Sequence, residues 1–218
     1  MDSITSADPR TNDELLDAAR SGDEAALAVL VECHRDRLER MVRLRMDRRL
    51  QGRVDPADVV QDAYLAVRGK FPQYSADPRL PFFLWLRLEV GQKLVDVHRF
   101  HLGTKMRDAG QEVSLHRGAL PQVTSLSLAE QLLGKLTTAS RAAMRAELKL
   151  RVQEALNSMD AIDREVLTMR HFEHLSNSES ALVLGISEPA ACNRYVRALK
   201  RLKDVFQGMP GGIEGVWG

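Results

Sequence analysis

Residues 175–202, LSNSESALVLGISEPAACNRYVRALKRL, constrain the chain more than any other stretch. Ser176 with Glu179 three residues later has the spacing of a capping box, in which each side chain satisfies a backbone donor of the other. Gly185 can take the left-handed conformation that ends a helix, Ile186 can plug the turn, and Ser187 can cap the next helix. Pro189 lies within the first turn of that second helix, where no intrahelical donor is lost. Ala181 is small where two such helices would cross, and Ser180 stands where an apolar residue would face the core. Two short helices joined this way make a helix-turn-helix, whose second helix lays its N-terminal half in the DNA major groove.

In that second helix Ala191, Tyr195, Ala198 and Leu202 share one face and are expected to pack inward. Ser187, Glu188, Pro189, Cys192, Asn193, Arg197 and Lys200 lie on the candidate DNA side with Val196, and Arg194 sits at its boundary. Asn and Arg can read base edges, whereas Arg and Lys nearer the C-terminal end more often clamp phosphates. The alternative is a helical hairpin with a solvated basic face.

Charge argues against a chain that grips DNA alone. Phosphate neutralisation supplies most non-specific affinity, yet the net charge is only +1. It is segregated instead: residues 1–30 are acidic, 35–53 are Arg-rich, and the last helix is basic. A partner is expected to supply part of the grip. Apolar residues make up 44%, enough for packed cores, but the longest apolar run, 25–31, is far short of a membrane span. The polar N-terminus is no secretory signal, and two isolated cysteines, Cys33 and Cys192, suit a reducing cytoplasm.

Helical periodicity dominates the rest. Thr11 with Glu14 and Ser21 with Glu24 match capping boxes, the second opening a long helix that runs to about residue 50. Asp55 caps and Pro56 starts a further helix; residues 72–81, with three prolines, are expected to be a loop, and another helix begins at Phe82. The sequence therefore reads as all-α: a helical domain over 11–102, a linker with an extra helical element over 103–149, a helix-turn-helix domain over 150–206 and a disordered tail over 207–218.

The helix after Asp55 carries Asp58, Gln61 and Asp62 beside Val59 and Leu65, a mixed acidic and apolar surface suited to a basic partner helix, or simply an amphipathic helix. Phe71, Tyr74 and Trp85, followed by Lys93, Asp96, His98, Arg99 and His101, put aromatics beside cations as single-stranded DNA requires, although Phe83 and Trp85 equally suit a core.

In this order and spacing the segments resemble bacterial RNA polymerase sigma factors of the sigma-70 type, in the extracytoplasmic-function group. DPADVVQDAYLAV resembles their core-polymerase-binding helix, FFLWLRLEVGQKLVDVHRF their promoter-melting and −10-reading helix, and residues 159–202 their −35-reading domain. The resemblance implies a protein that binds core polymerase through Asp58, Val59, Gln61, Asp62 and Leu65. It implies an unpaired −10 base captured in the 71–82 loop, a melted strand held by Lys93 and Arg99, and −35 duplex read through Ser187 to Lys200. It further implies one copy per polymerase, promoter DNA as ligand, no catalysis, cofactor or membrane insertion, and leaves room for an anti-sigma factor. Val90, Gly91 and Gln92 stand where similar proteins carry Ala-Arg-Asn or close variants, so −10 specificity is not carried over.

Two rivals follow from the residues. A stand-alone helix-turn-helix regulator would bind DNA without polymerase. A metal protein would use His98 with His101 or His171 with His174, but neither pair has a ligand set of recognised spacing.

Overall fold

The computed structural model describes residues 10–103, 120–133 and 142–207. Among these described residues the elements are helical apart from an isolated bridge between Gln51 and Val54, in line with the all-α expectation. They cluster into two compact units, the first drawn from Met1–Val42 and Arg48–Val113, the second from Arg43–Asp47 and Ser114–Gly218.

The first unit begins with α1 (Asn12–Arg20), whose capping box is formed: Glu14 N–H donates to Thr11 Oγ1 at 3.3 Å and Thr11 N–H to the Glu14 carboxylate at 2.7 Å. The second expected box is not used. Asp23 caps α2 (Glu24–Cys33) by accepting from Ala26 N–H at 3.0 Å, while Ser21 closes α1. Between them Gly22, at φ 99°, reverses the chain, a conformation that strains residues with a Cβ. That backbone hydrogen bond from Ala26 is the main cause holding the Asp23 carboxyl below its ordinary pKa.

The long helix expected to reach residue 50 is broken at His34, with α3 spanning Arg35–Arg45. His34, at φ −103° and ψ −2°, interrupts the helix and sets its ring 5.1 Å from that of Phe83 and 6.1 Å from Phe82, so aromatic packing outweighs helix continuity there.

The next helix, α4, spans Pro56–Ala76 and buries Val60, Ala63, Val67, Phe71 and Tyr74 in a single stripe. It runs through Pro72, so the loop expected over 72–81 shrinks to 77–81. A proline so near the end costs one backbone bond, and the burial of Phe71 and Tyr74 on either side offsets it. Tyr74 O–H donates to Leu80 C=O at 3.0 Å and ties the short loop down. The unit's last described helix, α5 (Phe82–Leu102), buries Phe83, Arg87, Val90, Leu94 and His98 along one stripe and ends at Gly103, at φ 71°.

In the second unit Leu128, Ala129 and Leu133 of α6 (Ser125–Leu133) share a core with Leu148, Val152 and Leu156 of α7 (Ala142–Asn157) and with Ala198, Leu202 and Phe206. Each fully buried Leu contributes about 1.5–3 kcal/mol, so α6 is held by packing rather than by local propensity. The described part of the expected 103–149 linker thus includes a helix in this core, and Gln207, expected to open the tail, ends the last helix; residues 104–119, 134–141 and 208–218 lie outside the described residues. Arg45 is buried in the same unit between Glu173, at 2.7 Å, and Glu165, and its Nη1 donates to Pro121 C=O at 3.0 Å. Burial opposes its charge, but the pull of the two carboxylates outweighs burial and raises its pKa.

Helix α8 (Ala161–Leu167) is capped by Asp160 and continues into a π-turn, Thr168–Phe172, closed by Glu173 N–H donating to Thr168 C=O at 3.1 Å. Arg164 donates to the carbonyls of Leu156 and Met159, at 3.0 and 2.8 Å, satisfying acceptors left at the end of α7. Two further helices, α9 (Asn177–Leu184) and α10 (Glu188–Gln207), complete the described residues.

Candidate nucleic-acid interface

The α9–turn–α10 geometry follows from its capping residues. Glu179 N–H donates to Ser176 Oγ at 3.0 Å and Ser176 N–H to the Glu179 carboxylate at 2.6 Å. Gly185 is left-handed, at φ 67° and ψ 32°. Ile186 N–H reaches Ala181 C=O at 3.1 Å and Gly185 N–H reaches Leu182 C=O at 3.4 Å, the two bonds of a Schellman motif. Ser187 Oγ accepts from Ala190 N–H at 3.3 Å, and Asn177 Nδ2 donates to Glu188 C=O at 2.9 Å, joining the starts of the two helices. Ser180 is fully buried without penalty, because its Oγ donates to Ser176 C=O at 2.9 Å.

Ala191, Ala198 and Leu202 are buried and Tyr195 half-buried, as their spacing predicts. Ser187, Glu188, Pro189, Cys192, Asn193, Val196, Arg197 and Lys200 are exposed. Asn193 and Arg197 supply donors that can pair with base edges, and Val196 offers a methyl surface of the kind that meets thymine. Arg194 is half-buried, its Nη1 2.6 Å from Asp163 Oδ1. Arg197 meets the same carboxylate, with Nε 2.9 Å from Oδ2. The sequence pattern did not single out Asp163, because it lies 31 residues from Arg194 and nothing local pairs them.

In the first unit Asp58, Gln61, Asp62 and Leu65, spaced i, i+3, i+4 and i+7, form one exposed stripe of α4. Leu65 is 68% exposed, a large apolar side chain left in water beside two carboxylates. Val59, expected with them, is 2% exposed: it belongs to the buried stripe, so it is corrected to a core residue.

The aromatic expectation also needs correction. Phe71 and Tyr74 are buried, and rather than lining an open loop they pack with Phe82 and Trp85. Trp85 stacks on Tyr74 with ring centroids 4.4 Å apart and planes at 18°, and of these three expected rings it alone keeps partial exposure. His98 is buried too, because it continues the Val90–Leu94 stripe. Lys93 is half-buried, 3.0 Å from Asp62; Asp96 and Arg99 are exposed and 3.6 Å apart. Phe100, which the sequence reading passed over, is 85% exposed, its ring edge-on to that of His101. Its signal was available: position 100 falls off the 90–94–98 stripe, between Arg99 and His101.

Among the described residues no group of three or more His, Cys, Asp or Glu side chains could hold a metal ion, and no helix is long and apolar enough to cross a membrane.

Comparison with known proteins decides the family. Residues 149–202 match the family described as sigma-70, region 4. Over 192 residues the chain is 28% identical to the ECF RNA polymerase sigma factor SigD of Mycobacterium tuberculosis, covering 88% of this chain and 82% of that one. It is 26% identical to the RNA polymerase sigma factor NccH of Alcaligenes xylosoxydans xylosoxydans, covering 92% of this chain and 97% of the other. The solved structure of CnrH in complex with the cytosolic domain of CnrY matches at a TM-score of 0.51 and 25% identity, over 90% of this chain and 97% of that one. Residues 149–202 thus belong to sigma-70 region 4, and over most of its length the chain is similar to sigma factors of the extracytoplasmic-function group. This sigma factor binds core RNA polymerase and directs promoter-specific transcription. The region 4 match covers α8, α9, the turn and α10 as far as Leu202, with Asp163, Arg194 and Arg197 included.

Proposed function

We propose that this sigma factor divides its work between the two units. The second unit reads −35 duplex through the exposed face of α10, with Asn193 and Arg197 toward bases and Lys200 toward phosphate. The first unit docks on core polymerase through Asp58, Gln61, Asp62 and Leu65. On α5, the half-exposed Trp85 and the exposed Phe100 offer rings to unpaired bases near the cations Lys93 and Arg99. The observation that most supports this reading is the capped α9–turn–α10 unit, with Cys192, Asn193, Val196, Arg197 and Lys200 exposed together on one side of α10.

Near-neutral net charge fits the same division, since polymerase supplies much of the phosphate contact. We also place the protein under an inhibitory partner of anti-sigma type, because CnrH, similar in fold over most of the chain, was solved with the cytosolic domain of CnrY bound.

Transcription in vitro with purified core polymerase tests the division. Arg197→Ala should lower initiation at promoters that need a −35 element and leave polymerase binding intact. Asp62→Arg should do the reverse, losing polymerase while keeping a folded second unit. A gel shift separates the rival: a free chain that selects specific duplexes as tightly as the holoenzyme does is a stand-alone regulator.

A further inference from the structure

Two of the three arginines of α10, Arg194 and Arg197, share one carboxylate. Asp163, in the first turn of α8, presents a carboxylate that is 5% exposed to two guanidiniums at once. Arg194 Nη1 lies 2.6 Å from Oδ1; Arg197 approaches side-on, with Nε 2.9 Å from Oδ2 and Nη2 3.3 Å from Oδ1. The Arg197 side chain nonetheless remains 55% exposed, against 25% for Arg194.

We propose that Asp163 is a positioning residue for promoter recognition, one that acts on DNA only through Arg194 and Arg197. The inference rests on the reading that α10 faces DNA. A free arginine samples many rotamers, and holding it against a base edge or phosphate freezes them at the moment of binding. Asp163 freezes them beforehand. Side-on pairing occupies Nε and one hydrogen of Nη2, which leaves Nη1 and the outer hydrogen of Nη2 to point away from the protein as a two-pronged donor. Arg194, the more buried partner, keeps the carboxylate compensated when Arg197 engages DNA.

The arrangement also sets charge. Asp160 also lies 3.8 Å from Arg194, so the two carboxylates balance the two guanidiniums and Asp163 lowers sequence-independent attraction while sharpening aim. A carboxylate that merely competed with DNA for Arg197 would weaken every duplex alike. Its burial argues otherwise, because DNA that drew Arg197 away would leave the buried charge with one close guanidinium, Arg194, in place of two.

The test uses full-length chain assembled with core polymerase and two duplexes of equal length. One is selected from a randomised pool by the wild-type holoenzyme, the other unrelated. Asp163→Asn should weaken the selected duplex about tenfold, the scale of one good bidentate contact. It should also bind the unrelated duplex more tightly, with a salt dependence steeper by about one phosphate equivalent. Asp163→Glu should restore part of the discrimination. Arg197→Lys, which keeps the charge and loses the side-on fork, should lose discrimination even if Asp163→Asn folds poorly. A purely structural role predicts that both duplexes weaken together with the folded fraction, and that outcome overturns the proposal. So does a wild-type ratio in Asp163→Asn, or equal tightening on both duplexes. If the Arg194→Ala, Arg197→Ala double variant binds the selected duplex like wild type, the DNA-facing reading of α10 itself fails.

Discussion

Lys93 Nζ on α5 lies 3.0 Å from the Asp62 carboxylate on α4, so a side chain proposed to face DNA is paired with one proposed to face polymerase. Asp62 is 58% exposed, and an exposed pair of this kind contributes about 0–1 kcal/mol. Asp62→Asn is therefore expected to shift the melting temperature little. Asp62→Arg places a cation beside Lys93 and cancels the negative charge of the α4 stripe, and is expected to weaken core-polymerase binding at least tenfold in a pull-down titration. Leu65→Ala should act in the same direction with no loss of stability.

Gly185 carries a left-handed turn that an L side chain enters at a cost of about 1–2 kcal/mol. Gly185→Val should lower the denaturation midpoint accordingly, followed by circular dichroism, and weaken DNA binding through the folded fraction alone. Ser180→Ala, by contrast, removes a satisfied hydroxyl together with its need for a partner and is expected to cost less than about 1 kcal/mol.

Acid should destabilise the second unit through His171. Although His171 is exposed, partial desolvation lowers its pKa below the ordinary imidazole value, and the neighbouring His174 adds to the shift. The unfolded chain therefore binds the proton more readily than the folded one. This contribution to stability is complete above about pH 6.5 and declines as pH falls toward the lowered folded value. Urea midpoints at pH 7.5 and 5.5 should differ less in His171→Gln than in wild type; an identical difference in both would remove the histidine from the account.

Phe100 stands almost wholly in water, so Phe100→Ala should leave stability within about 0.5 kcal/mol of wild type. If its ring stacks on an unpaired base, a contact worth about 1–3 kcal/mol, permanganate footprinting should show promoter opening reduced about tenfold or more. Unchanged opening would assign Phe100 no part in melting.

The helix-turn-helix was legible because its determinants are local: caps, a left-handed glycine and a 3.6-residue stripe all lie within residues 175–202. What escaped was set by distant partners. Proline spacing marked 72–81 as a loop, yet Phe71 and Tyr74 found Phe82 and Trp85 to pack against and drew the helix through Pro72. His34 broke an apparently continuous helix for the same reason. Val59 and His98 were offered as surface residues although each extends a buried stripe, an error of phase rather than of residue type. Asp163 was invisible since a carboxylate 31 residues before its arginine leaves no periodic trace.

Mapping of transcription start sites with purified core polymerase, with and without this protein, tests the central claim most directly. Discrete starts that depend on the protein, that share two separated upstream elements, and that fade when Arg197 or Asp62 is altered are the expected result. Starts that do not depend on the protein, together with tight and selective duplex binding by the free chain, would contradict it.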